Sequence, residues 1–318
     1  MKRMGNLFGL VLSLVLIASL VLSSTAYAAG PDKPAKPDKE TPVRATNIEL
    51  VKKGTVNGKG RPIIPPGQEN KKKGGGGAAT GILGEPVSGS RYAVVVGISD
   101  YPGDANDLNY SDDDAIEMAQ ALTTVYGFSN VTLITDLGAT REAILSAIDD
   151  IPSDADEVVF FFSGHGARGI AEDGDKERTD ESIVVVSNDS SSLTYIWDGE
   201  LKGAFSEFAS SRIVFVFDTC LAGGMKKDLE APGRVIAMAT TENTLSIESH
   251  DLQNGEFSYY FVDEGMLQGR ANAHDYDGDE IFEEPEQVTA EEAFDYAKAN
   301  CGYDRPTIGD YFYDDLLL

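Results

Sequence analysis

Cysteine is nearly missing from this chain: 318 residues carry only Cys220 and Cys301. That count excludes a disulfide framework and leaves either a single bridge or two free thiols. Basic charge is also short, with 26 Lys and Arg against 53 Asp and Glu and a formal net charge of −27. The deficit is uneven. Residues 1–88 hold thirteen of the basic and six of the acidic side chains, so the remainder carries a formal charge of −34. Such a polyanion repels nucleic acid and favours cations, whether metal ions or basic peptides. Long apolar runs are absent after residue 22, which excludes a membrane span in a mature chain. No internal repeat is present.

The one long apolar run, residues 7–22, follows a basic start and precedes Ala26-Tyr27-Ala28. This is the pattern of a secretory signal peptide over residues 1–28. No cysteine follows the cleavage site to take a lipid, so the expectation is a secreted, extracytoplasmic protein with no stable membrane association after signal cleavage. Residues 29–88 are rich in Pro, Gly and Lys, as in PDKPAKPDKE and NKKKGGGG, and read as a flexible basic pro-segment or linker. The remaining domain spans residues 89–318.

Within that domain apolar strands alternate with helical patterns. YAVVVGIS (92–99) precedes a helical spacing over 113–125, VTLIT precedes REAILSAIDDI with Thr140 as its N-cap, and VVFFF, SIVVV, RIVFVF and RVIAMAT follow. A helical pattern over 198–208 lies between the second and third of these last four. The order predicts an α/β fold, a mostly parallel sheet flanked by helices on both faces in three αβα layers. Ligands in such sheets gather beyond the carboxyl ends of the strands.

Two strands end abruptly in glycine-rich sequence. FFFSGHGARG delivers His165, one of three histidines, and RIVFVFDTCLAGGM delivers Asp218 and Cys220. Side by side in one parallel sheet, they would bring His165 and Cys220 to a common rim. A free thiol of pKa about 8.5 is mostly protonated at neutral pH, so an imidazole that takes its proton creates the nucleophile and later protonates a leaving amine. Backbone N–H groups of Gly166 and Cys220 could hold the oxyanion. Taken singly, a cysteine after a strand is usually a small buried hydrophobe and a histidine beside glycine a loop residue. The matched strand ends, fifty-five residues apart, set this pair aside from that reading.

The stretch from Arg91 to about Asp310 resembles the caspase-like cysteine peptidases, closest in type to the metacaspases and related prokaryotic proteins. The matching pieces are YAVVVGISDYPG, LNYSDDDAIEMAQAL, FFFSGHG, VFDTCLAGG and GEFSYYFVDEGMLQGRANAHDYDGD. The resemblance implies the caspase-hemoglobinase type of fold, a His165/Cys220 dyad with no obligatory third member, and no organic cofactor. It also implies cleavage after Arg or Lys through an acidic pocket built from Asp114, Ser163 and Asp218; carboxylates facing a cationic side chain suit that task. Protein or peptide substrates with basic residues are the expected partners. The chain departs from metacaspases at Leu221 and Ala222, where they commonly carry histidine and serine, and at Ser111, where they often carry cysteine. Asp112 and Asp113 read as acids favoured by a helix N-terminus.

Residues 275–286, DYDGDEIFEEPE, carry calcium-loop spacing. Asp275, Asp277, Asp279 and Glu286 supply carboxylates and Ile281 a carbonyl, although Glu280 replaces the usual glycine. A second acidic cluster, Asp173, Asp175, Asp180 and Glu181, resembles the region near which metacaspases bind activating calcium. The basic pro-segment suggests a zymogen in which Lys71 to Lys73, or another basic stretch, docks in the acidic cleft and is cut, with Lys226 and Lys227 as alternative self-cleavage points. The rival readings are a catalytically inactive calcium-binding interaction module on the same fold, and a transpeptidase using the same dyad.

Overall fold

In the computed structural model the described residues are 34–56, 77–85, 87, 89–174, 177–208, 212–274 and 288–318. Residues 1–28, read above as a signal peptide, Lys71 to Lys73, and the calcium-site candidates Asp275, Asp277, Asp279, Ile281 and Glu286 lie outside them. The segment over residues 29–88 contributes β1 (Ala45–Val51) and β2 (Gly54–Val56). The domain proper then runs β3 (Arg91–Gly97), α1 (Ser111–Thr124), β4 (Asn130–Thr135), α2 (Arg141–Asp149) and β5 (Glu157–Ser163). There follow β6 (Gly166–Ala171), β7 (Asp180–Val186), β8 (Leu193–Trp197), α3 (Asp198–Ala204), β9 (Ile213–Asp218), α4 (Lys226–Leu229) and β10 (Arg234–Met238). Last come β11 (Ile247–Ser249), β12 (Asn254–Gly255), α5 (Glu256–Ser258), a π-helical segment (Tyr259–Leu267), α6 (Ala290–Asn300) and β13 (Thr307–Asp310).

Six strands form the central sheet in the order β13-β10-β9-β5-β3-β4, all parallel except β13. Alternation along each strand divides the core. Val94, Val96, Phe160, Phe162, Phe215 and Phe217 face α2 and α3 through Ile144, Leu145 and Leu201. Their neighbours Val95, Val159, Phe161, Val214 and Val216 face α1 and α6 through Met118, Leu122 and Phe294. Coverage of both faces is why these strands read as unbroken apolar runs. The chain winds from β3 outward to β4, then returns to β5 on the other side. A crevice opens at such a reversal, beyond the ends of β3 and β5.

Two expectations are corrected here. SIVVV lies in β7, which belongs not to the parallel sheet but to a separate antiparallel one, ordered β1-β6-β7-β8. A buried apolar run carries no signature of strand direction, so the sequence did not separate the two sheets. Part of the segment read as a flexible linker is also built into the fold: β1 pairs antiparallel with β6, and β2 pairs parallel with β11. Residues 78–81 are held through their N–H groups by Asp295 and Asp315.

Candidate active site

β5 and β9 are adjacent and parallel, with Ser163 in register with Asp218. His165 and Cys220 therefore leave the sheet two residues later on neighbouring strand ends. Gly166 fits this approach closely, because a Cβ there would overlap the Cys220 carbonyl oxygen. Leu221 adopts a left-handed backbone, φ 63°, unusual for a branched side chain, and its N–H donates to the Thr244 carbonyl at 3.0 Å. The Cys220 loop is thus held by Gly166 on one side and Thr244 on the other.

The imidazole is oriented by groups the sequence did not reveal. Its Nε2 lies 2.8 Å from the Asn106 carbonyl, and its Nδ1 accepts the Lys53 backbone N–H at 3.0 Å. Acceptance at Nδ1 places the proton on Nε2, where it is donated to Asn106. Tyr101 stacks on the ring at 4.9 Å and 20°, accepts the His165 backbone N–H at 3.0 Å, and donates its hydroxyl to the Val184 carbonyl at 3.0 Å. The group facing Nε2 is a backbone carbonyl, which leaves no trace in residue type.

Both cysteines are free, so the disulfide left open by the sequence is not formed. The Cys220 sulfur accepts the Ser246 N–H at 3.2 Å and lies 3.4 Å from the Lys52 carbonyl oxygen. Histidine and cysteine thus flank a single peptide unit, Lys52–Lys53. Burial pushes the thiol up to about 12 and the imidazole down to about 4, so both are neutral in this closed arrangement.

Asp114, Ser163 and Asp218 meet in one fully buried pocket, and its occupant is Lys53. The ammonium lies 2.8 Å from Asp218 Oδ1, 3.1 Å from Ser163 Oγ and 3.6 Å from Asp114 Oδ2. Burial opposes the charge on Lys53, but Asp218 and Asp114 outweigh it and hold its pKa above the ordinary lysine value. Burial raises Asp114 to about 6, opposed by Lys53. The pocket acids are fixed in turn. Asp114 accepts from Ser163 Oγ at 2.6 Å and from the Gly255 N–H at 2.9 Å; Asp218 accepts from Ser246 Oγ at 2.7 Å and from Ser258 Oγ at 2.8 Å.

A further tier of acids was not singled out from the sequence. Asp304, Glu248 and Glu256 are almost wholly buried around the pocket. Asp304 reaches Ser246 Oγ at 3.2 Å, and burial followed by the nearby Asp218 raises its pKa well above the carboxylate range. Glu256 accepts the N–H groups of Gly302, Tyr303 and Asp304, and Glu248 those of Asn109 and Tyr110. Ser111 is buried at the start of α1 and makes no bond to Lys53 among the described residues.

A second acidic cluster lies near the Cys220 loop. Carboxylate oxygens of Asp173, Asp180 and Asp198 come within 4.8 Å of one another. Asp198 was missed because an acid opening a helix looks like an ordinary N-terminal acid. Asp175 lies outside the described residues. Glu181 is buried, its Oε2 has no hydrogen-bond partner among the described residues, and that carboxylate packs against Gly224, four residues after Cys220. Burial raises Glu181 to about 8. Oxygen donors, dense negative charge and an orphaned carboxylate oxygen fit a hard divalent cation such as calcium.

The match to known proteins agrees with this geometry. Residues 90–291 fit the caspase domain model. Over 147 residues the chain is 29% identical to metacaspase-4 of Arabidopsis thaliana, a similarity covering 43% of this chain and 34% of that protein. The chain thus matches only about a third of that relative's length. A caspase-type sheet, with histidine and cysteine on adjacent strand ends and a family match across most of the domain, makes this chain a member of the caspase-domain family of cysteine peptidases.

Proposed function

We propose that the protein is an exported cysteine endopeptidase that cuts peptide bonds after lysine or arginine, is stimulated by calcium and is made as a zymogen. The observation that carries the specificity is the buried Lys53 ammonium between Asp218 and Asp114. Two buried carboxylates without a cation would bear a large desolvation penalty, so the pocket selects a basic side chain by its own electrostatics. An aspartate there would meet like charge. The chemistry needs no organic cofactor.

In the reaction His165 Nδ1 takes the Cys220 proton, and the sulfur bonds to the carbonyl carbon of the basic residue. The N–H groups of Gly166 and Cys220 take up the charge that develops on the oxygen. His165 returns the proton to the amine as the C–N bond breaks, and water then hydrolyses the thioester. Asn106 and Tyr101 hold the ring in the tautomer this sequence requires.

Asp173, Asp180 and Asp198, with Glu181 alongside, would hold calcium, which supplies positive charge to carboxylates that lack it. Glu181 links that site to the nucleophile loop through Gly224. Self-processing would act at Lys71 to Lys73 or at Lys227, which is exposed on α4 and paired with Glu177 and Glu242 at 3.1 and 3.3 Å. Export rests on the signal pattern of residues 1–28. Among the described residues no helix is long and apolar enough to cross a membrane.

Fluorogenic peptides ending in Arg, Lys or Asp, assayed with calcium and with chelator, test this reading. Release from Arg and Lys but not Asp is expected, with a lower rate in chelator. Asp198→Asn should remove the difference between calcium and chelator while sparing the preference for basic residues. Hydrolysis after Asp, or an Asp198→Asn variant still responsive to calcium, would contradict the respective parts.

A further inference from the structure

The peptide that fills the site lies across the dyad in the wrong direction for cleavage. This inference rests on the proposed peptidase reading and concerns the control of that same site. Attack on a residue held in the acidic pocket requires that residue's own carbonyl carbon at the Cys220 sulfur. The amide nitrogen of the next residue must then face His165, because that nitrogen leaves with a proton. With Lys53 in the pocket, the bond to be cut would be Lys53–Gly54.

Neither condition is met. The carbonyl oxygen at the sulfur belongs to Lys52, the residue before, at 3.4 Å. The N–H at the imidazole is that of Lys53 itself, at 3.0 Å. The Gly54 N–H is turned away and donates to the Ser246 carbonyl at 3.0 Å. The Lys52–Lys53 bond, which does lie between the two side chains, is also misdirected, since its oxygen points at the thiol rather than at N–H donors able to stabilise an oxyanion. Chain direction gives the same result. The segment before Lys53 leaves past His165 along β6, with Val51 opposite Gly166, and the segment after it runs along β11, with Thr55 opposite Glu248. A productive substrate must leave the other way, because its following residue has to pass the imidazole.

We infer that residues 45–56 form a reverse-bound inhibitory strap, which occupies the basic-residue pocket of its own domain through Lys53 without presenting a scissile bond. The strap is anchored on both sides of the dyad. Arg168 pairs with Glu49 at 2.8 Å, and Thr55 Oγ1 donates to Glu248 at 3.0 Å. Upstream, Lys36 and Lys39 reach Asp149 at 2.6 and 2.8 Å, and Arg141 holds the Asp38 carbonyl at 2.6 Å. Lys53 and its flanking backbone cover both His165 and Cys220, so the dyad meets substrate only when the strap lifts.

The test combines intact mass, alkylation of Cys220 by iodoacetamide, and turnover of a Lys-terminated fluorogenic peptide in the full chain. Two variants loosen the strap: Lys53→Ala empties the pocket, while Gly54→Pro keeps Lys53 and removes the N–H bonded to Ser246. If the closed form dominates, opening it should raise the Cys220 alkylation rate at least about tenfold in either variant. The wild type should contain no fragment ending at Lys52 or Lys53. A synthetic peptide of residues 45–56 should slow alkylation of Lys53→Ala and be recovered uncut. Fragments ending at either lysine, or alkylation unchanged in both variants, would overturn the inference. Faster alkylation with no hydrolysis of any basic peptide would leave the strap standing and remove the peptidase reading instead.

Discussion

Replacing Cys220 by alanine should reduce hydrolysis of Arg- and Lys-terminated peptides by at least about a thousandfold, to the background of the uncatalysed reaction plus binding. No group in the pocket can take over the covalent step. The other thiol, Cys301, lies 3.9 Å from the Glu256 carbonyl rather than at the rim beside His165. The fold should tolerate the change, because alanine keeps the small buried volume and gives up only weak sulfur hydrogen bonds. Thermal unfolding and steady-state kinetics on the same preparation separate loss of chemistry from loss of structure. Sequencing the N-termini of both proteins adds a second readout. Self-processing requires different termini in wild type and variant, and identical termini would remove it.

The second large effect belongs to Asp218. Its carboxylate takes the shortest contact to the Lys53 ammonium and three further bonds from Ser246 and Ser258. Asp218→Asn keeps the shape and removes the charge. Loss of one partner of a buried ion pair costs about 3–5 kcal/mol, which corresponds to a fall in kcat/KM of roughly a hundredfold to a few thousandfold for basic substrates. Lys53 loses the same partner, so the strap should loosen as well. Alkylation of Cys220 should speed up in Asp218→Asn even as hydrolysis falls. Because Cys220 is buried, unfolding would also speed its alkylation and abolish hydrolysis, so thermal unfolding of Asp218→Asn beside wild type separates a loosened strap, with a retained cooperative transition, from collapse. Equal kcat/KM for Asp218→Asn and wild type on Lys-terminated peptides would contradict the assignment of the pocket.

The adjacency of the strand ends that carry His165 and Cys220 was legible because two physical signals coincide there. Strands covered on both faces must be apolar throughout, so residues 158–162 and 213–217 stand out, the first ending in Ser163-Gly164-His165 and the second in Asp218-Thr219-Cys220, with glycines following at 223 and 224. The pocket acids Asp114 and Asp218 were legible only through the resemblance, since the bare sequence offers them amid a general acidic surplus. The buried ring of Asp304, Glu248 and Glu256 was invisible for the same reason: burial is decided by distant loops, and an acid in a loop otherwise reads as solvated. Asn106 contributes a carbonyl oxygen, which any residue possesses.

The strap shows a different limit. β1 has mostly exposed or half-buried side chains, so it carries little of the apolar pattern by which strands are recognised. Its order comes from pairing with β6 and from one lysine placed among carboxylates, which are tertiary effects with no local code. The charge asymmetry between residues 1–88 and the domain suggested that Lys71 to Lys73, or another basic stretch, would dock in the acidic cleft and be cut. It did not specify Lys53, since the chain offers several lysines before residue 88 and only packing distinguishes them.

The most direct measurement is covalent capture of the nucleophile. A peptidyl acyloxymethyl ketone ending in lysine, incubated with the Lys53→Ala chain and mapped by mass spectrometry, should modify Cys220 and leave Cys301 untouched, whereas its aspartate-ended counterpart should modify neither. Modification of Cys301, equal reaction of both probes, or an inert Cys220 that still reacts freely with iodoacetamide would contradict the assignment of a histidine-assisted thiol beside a pocket for basic side chains.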